Sequence, residues 1–156
     1  MPNVEAKLEI MELFSKYLLC LDERRFDHES FAEIFTDSAE VNMPSNIIPE
    51  RVCMGLQEIR DIHAALFRLI KSSHHTSHTS SDYVFLSLSE QSAEVRCNLS
   101  SCYNSFSTET GDSFVAGTVN FSAVKLLGIW KIQKMRRKTQ CVCSFGINTK
   151  NKEVFS

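Results

Sequence analysis

Apolar residues recur at every third or fourth position from Val4 to Leu21. Val4, Leu8, Met11, Phe14 and Leu18, joined by Ile10, Leu13, Tyr17 and Leu21, form one broad stripe. This spacing predicts an amphipathic helix, with Pro2 and Asn3 suited to its start. Asp27 is placed to cap a short second helix reaching about Phe35. Ser38 to Met43 alternates like a strand, with Ala39, Val41 and Met43 on one face and Pro44 as its stop. Ser45 to Met54 reads as a loop that can cover a pocket mouth. Gly55 to Lys71 returns to helical spacing through Leu56, Ile59, Ile62, His63, Leu66 and Ile70. After Ser72 the period becomes two. His75–Leu88, Ala93–Phe106, Phe114–Val124 and Ile129 to about Phe145 are strand candidates rich in Val, Ile, Thr and aromatics. Ser89-Glu90-Gln91, Glu109-Thr-Gly111-Asp112 and Leu127-Gly128 mark the turns between them. Helices first and strands later predict an α+β fold, with three helices on one face of a curved antiparallel sheet. Such a sheet leaves a conical cavity, a shape that suits small molecules.

The chain has 156 residues, which predicts one domain, 1–156, with its core at about 4–145. At 43% hydrophobic content it can build one sizeable core. A net charge of −2 gives no global field toward nucleic acid. No apolar run approaches the roughly 20 residues that span a bilayer, and no signal peptide is visible. The expected location is the cytoplasm, with neither nucleic acid nor membrane as partner. Six cysteines include no CxxC pair and read as reduced, mostly buried thiols. The sequon at Asn98 has no consequence in that compartment.

Several segments, taken in order, resemble the SnoaL-like proteins of the nuclear-transport-factor-2-like superfamily, which have the cystatin-like fold. Tyr17 and Asp22 come first, followed by Phe35-Thr-Asp-Ser-Ala39. Then come Gly55-Leu-Gln-Glu-Ile59, Thr76-Ser-His78 with Asp82, Ser92-Ala-Glu-Val95, and Gly128-Ile-Trp130-Lys-Ile132. The resemblance covers roughly Val4 to Phe145. It implies a cone-shaped barrel, with three N-terminal helices packed on a curved mixed or antiparallel sheet. It also implies a homodimer through the outer sheet face and acid–base chemistry without a metal or cofactor. The superfamily hosts many reactions, so fold does not fix activity.

The candidate catalytic residues are Tyr17, Asp22, His78 and Arg136. His78 occupies the resemblance's Thr/Ser-x-His position, and an imidazole can take and return a proton near neutrality. His74 and His75 are its rivals. A metal reading of this run is weak, because His74 and His78 would stand about 13 Å apart on a strand rising about 3.3 Å per residue. The Tyr-x4-Asp spacing resembles that of the family's dehydratases, which implies that Asp22 orients the histidine. Tyr17 would donate to a substrate carbonyl and stabilise an enolate. Arg136 or Arg137 would add a cation, and strand parity admits only one unless a bulge intervenes. The bland alternative for that basic run is a solvated, charged strand edge.

Met43, Met54, His63, Phe67 and Val119 are expected to line the pocket. Met43 stands where ketosteroid isomerases carry their carboxylate, which argues against that mechanism. Val119 replaces an aromatic hydroxyl found in many relatives. The reading that follows is a cofactor-independent dehydratase or isomerase for a small hydrophobic hydroxy-carbonyl compound, such as a steroid, polyketide or aromatic metabolite. The alternative is a non-catalytic ligand-binding or dimerisation domain of the same fold.

Overall fold

The computed structural model describes residues 4–43, 50–69, 74–105 and 112–145. Among these described residues, three helices precede or interrupt a six-stranded sheet. They are α1 (Val4–Asp22), α2 (His28–Ile34) and α3 (Leu56–Leu69). The strands are β1 (Phe35–Met43), β2 (Arg51–Met54), β3 (His74–Leu88), β4 (Ser92–Ser105), β5 (Asp112–Leu126) and β6 (Ile129–Phe145). The spatial order is β2-β1-β6-β5-β4-β3. Neighbours run antiparallel except β1 and β6, which are parallel, so the sheet is mixed. It curves around the helices and stays open at β2 and β3 rather than closing into a barrel.

Local chemistry explains the boundaries. Asp27 caps α2 as expected, its Oδ1 accepting the Ser30 N–H at 2.8 Å. The chain turns extended at Phe35 (φ −107°, ψ 152°), so β1 begins there and not at Ser38. The expected loop over Ser45–Met54 requires correction. Residues 51–54 form a strand on the free edge of β1, pairing Cys53 with Val41. Backbone groups on that edge gain ladder partners, which outweighs the weak propensity of a four-residue segment. Pro44 and the start of that stretch lie outside the described residues, as do Ile70, Lys71 and the tip of the β4–β5 connection.

Gly55 turns from β2 into α3 at φ +84°, a conformation that favours glycine. Leu127 (φ 51°) and Gly128 (φ 84°) make the two-residue turn between β5 and β6, with the paired left-handed residues that suit a tight hairpin. Trp130, just beyond it, donates its indole N–H to Glu9 at 3.0 Å and ties the hairpin to α1.

The core lies between the helices and the concave sheet face. Phe14 stacks on Phe121 with ring centroids 4.9 Å apart. Phe31, Phe35 and Tyr17 continue this aromatic layer, and all three are fully buried. β6 bends at two extra residues, Gln133 and Gln140, which the ladder with β5 leaves unpaired.

Candidate active site

Asp22 is the last residue of α1, and β3 passes beside it. The carboxylate holds His78 at two points. Oδ1 accepts the imidazole Nδ1–H at 2.6 Å, and Oδ2 accepts the backbone N–H at 3.0 Å. The His78 side chain is only 2% exposed and that of Asp22 24%. Burial alone would raise the Asp22 pKa. The side-chain and backbone hydrogen bonds from His78 outweigh it and hold the carboxyl below its ordinary range. With Nδ1 committed to Asp22, Nε2 is the nitrogen left to exchange protons.

Period-two alternation carries His78 inward with Thr76 and Ser80, while His75 falls on the exposed face. The side chain of His74 lies outside the described residues. On β4, Ser101 pairs with His78 and Tyr103 with Thr76. The Tyr103 ring meets the His78 ring edge-on at 6.1 Å, and Phe67 lies 6.4 Å from it on α3. Burial raises the Tyr103 pKa, partly opposed by the charge of Arg137. Tyr103 and Ser101 had no part in the sequence reading.

A second cluster adjoins this dyad. Tyr17 is fully buried on the inner face of α1. Its oxygen lies 2.8 Å from His63 Nε2 and also takes a hydrogen bond from an Arg137 terminal nitrogen. His63, 1% exposed, sets its Nδ1 2.7 Å from the Ile59 carbonyl. Burial pushes the Tyr17 phenol up to about 12 and the His63 imidazole down to about 3. The charge on Arg137 opposes the first shift and adds to the second. His78 is close enough to lower the His63 pKa further, which joins the two clusters electrostatically.

Arg137 faces inward and Arg136 does not. Cys97, Val119 and Arg137 form one row across β4, β5 and β6. The guanidinium stands 5.3 Å from the Tyr17 ring centre. No carboxylate among the described residues pairs with it, and its buried Nε–H has no partner. The placement expected for Arg136 is corrected: its side chain is 62% exposed and lies 3.8 Å from Glu40. The physical reason is the extra residue Gln133, which shifts the β6 register by one.

The expected pocket residues divide as well. Met43, His63, Phe67 and Val119 are buried. Met43 follows Asn42, the register partner of Arg136, and so ends β1 beside this part of β6. Met54 requires correction: it is 58% exposed, because β2 turns Cys53 inward instead.

An open cleft of about 720 Å³ lies elsewhere, between α1, α2 and the β5–β6 turn, bordered by Glu9, Lys16, Glu33 and Trp130. Neither Tyr17, Asp22 nor His78 borders it. Among the described residues, no three His, Cys, Asp or Glu side chains gather as metal ligands would. No helix among them is long and apolar enough to cross a membrane.

The family profile described as SnoaL-like domain matches residues 2–136. Among functionally curated proteins, none matches the sequence. Solved structures share the fold. A provisionally named scytalone dehydratase from Novosphingobium aromaticivorans is 21% identical, with a TM-score of 0.75, covering 92% of this chain and 90% of that one. A hexachlorocyclohexane dehydrochlorinase from Novosphingobium barchaimii is 15% identical, with a TM-score of 0.74 and 91% of each chain covered. A protein from Nostoc punctiforme described as having a cystatin-like fold is 18% identical, with a TM-score of 0.69, covering 88% and 93%.

Proposed function

We propose that this chain, which belongs to the SnoaL-like domain family, is a cofactor-independent lyase of the dehydratase or isomerase type. Its substrate would be a small, hydrophobic hydroxy-carbonyl compound. The observation that carries the reading is the Asp22–His78 dyad, 2.6 Å across, with an imidazole side chain that is almost wholly out of water. An oriented, desolvated imidazole with one nitrogen fixed by a carboxylate is the arrangement that proton abstraction requires. Two fold neighbours bear the names of a dehydratase and a dehydrochlorinase, both of which eliminate a group from carbon.

In the proposed reaction, His78 Nε2 takes the proton alpha to the carbonyl, and the electron pair moves onto the carbonyl oxygen. Arg137, held against the Tyr17 oxygen, stabilises this enolate oxygen and has an unpartnered donor for it. As the enolate collapses, the bond to the beta hydroxyl breaks and the carbon–carbon double bond forms. The departing hydroxide takes the proton held on His78, which releases water and restores the base. Asp22 stabilises the imidazolium between the two transfers. Phe67, Met43 and Val119 supply an apolar wall. No residue in this sequence of steps calls for a metal or cofactor.

The test is isotope exchange. Hydrophobic beta-hydroxy ketones and thioesters incubated with the protein in deuterium oxide should gain deuterium alpha to the carbonyl or lose water. A His78→Ala variant should be slower by about a thousandfold. Saturable binding with no exchange, unchanged in His78→Ala, would instead identify a ligand-binding domain. We also propose a homodimer through the outer face of the sheet, for which light scattering should give twice the chain mass.

A further inference from the structure

The buried hydrogen-bond chain behind the dyad fixes the position of every proton in it. The Ile59 carbonyl has no proton, so the His63 Nδ1 that lies 2.7 Å from it must carry one. The ring is fully buried, and beside it stand the cation of Arg137 and, from β3, His78, both of which disfavour a second proton. His63 Nε2 is therefore a bare lone pair. Tyr17, 2.8 Å away, is the group that can donate to it. Arginine has no acceptor, so the bond between Arg137 and Tyr17 runs from guanidinium to phenol oxygen. The single proton of Tyr17 is thus spent on His63, and one lone pair is taken up by Arg137.

We propose that His63 is a positioning residue: by accepting the Tyr17 proton it turns the phenol oxygen toward Arg137, so that the guanidinium, not the phenol, meets a substrate oxygen. This rests on the enzyme reading above for the identity of that oxygen. It reverses the role that the sequence motif implies for Tyr17. Two further observations point the same way. Arg137 Nε is buried and lacks a partner, so it is a donor in want of an acceptor. Donation from Tyr17 to His63 also makes the phenol oxygen a better acceptor, which strengthens its hold on Arg137. The opposite tautomer would aim two donors, His63 Nε2–H and Arg137, at the phenol oxygen and would free its hydroxyl proton for another acceptor. The tautomer of one core histidine therefore decides which group is the electrophile.

Nitrogen-15 spectra of the labelled full chain read this directly. The expected result is a protonated Nδ1 and a bare Nε2 on His63, unchanged from neutral to mildly acidic pH. An Nε2–H tautomer, or an imidazolium at neutral pH, would overturn the proposal. A second measurement uses 2-naphtholate, a phenolate that mimics an enolate oxygen. His63→Gln keeps an acceptor near the Nε2 position and His63→Leu does not. His63→Leu should weaken naphtholate binding by about tenfold, while His63→Gln should stay within about threefold of the unaltered chain. Equal affinity in His63→Leu and the unaltered chain would count against the proposal. Failure of the enzyme reading would appear separately, as isotope exchange indifferent to His78→Ala, and the tautomer measurement does not depend on it.

Discussion

Asp22 grips His78 through both carboxylate oxygens, one on the ring and one on the backbone N–H, across 56 positions of chain. The double contact fixes the imidazole plane and its tautomer together. It also pins the end of α1 to β3, so the dyad is part of the fold as well as of the site.

Asp22→Asn should therefore separate chemistry from folding. The amide can still bond one of the two nitrogens, but it cannot stabilise an imidazolium. We expect kcat to fall by roughly a hundredfold to ten-thousandfold, with little change in KM. The carboxyl has its pKa lowered in the folded protein. Its contribution to stability is therefore complete above the ordinary carboxylate range and is lost as pH falls through the folded pKa. Acid unfolding should be less steep in Asp22→Asn over that window, as measured by circular dichroism at stepped pH.

His63 predicts a second, separate acid sensitivity. Its folded pKa is depressed to about 3, whereas the unfolded imidazole titrates near its usual value. Between those values the unfolded chain binds a proton that the folded chain refuses, so stability falls as pH drops through the window. The slope contributed is about 1.4 kcal/mol per pH unit. In His63→Gln, urea midpoints measured across this range should lose that slope.

Arg136 and Arg137 are adjacent in sequence and opposite in placement. Arg137→Met should reduce turnover by roughly a hundredfold or more, since it removes the half-buried cation beside Tyr17. Arg136→Met should remain within about twofold, because an exposed pairing with Glu40 is worth little. Steady-state kinetics on the substrate found by isotope exchange would check both. Equal losses would contradict the register of β6.

Gly117 carries a packing prediction. A Cβ at this position would stand 2.1 Å from the Lys138 carbonyl oxygen, on the backbone beside the bulge at Gln140. Gly117→Ala should destabilise by roughly 2–4 kcal/mol. At Gly128 a Cβ has nothing within 4 Å, and only φ of +84° opposes it. Gly128→Ala should cost about 1 kcal/mol. Thermal unfolding of the two variants gives the comparison.

The sequence made the helices and long strands legible because each buries one face, and a buried face imposes a period. Counting outward from the Leu127–Gly128 turn, an unbroken ladder would pair Val119 with Arg136. The unpaired Gln133 moves that partner to Arg137. From the Ser89–Gln91 turn, an unbroken count would set Tyr103 opposite His78, but two irregularities in β3 place Ser101 there. Nothing in the sequence marks these bulges, because each depends on how a strand bends against its neighbour. The bulge at Gln133 decides which of Arg136 and Arg137 faces inward.

The sequence by itself determined the α+β order, the inward face of α3 and that of α1 from Ile10 onward, because local periodicity travels with the chain; Val4 and Leu8, on the expected stripe, are exposed. Only the tertiary structure decided the parallel pairing of β1 with β6, the strand of residues 51–54, and which arginine enters the core. It alone joined Tyr17 to His63 and Arg137, over separations of 46 and 120 residues. Those outcomes depend on register and on the burial of polar groups, and both are fixed only when distant segments compete for the same partners.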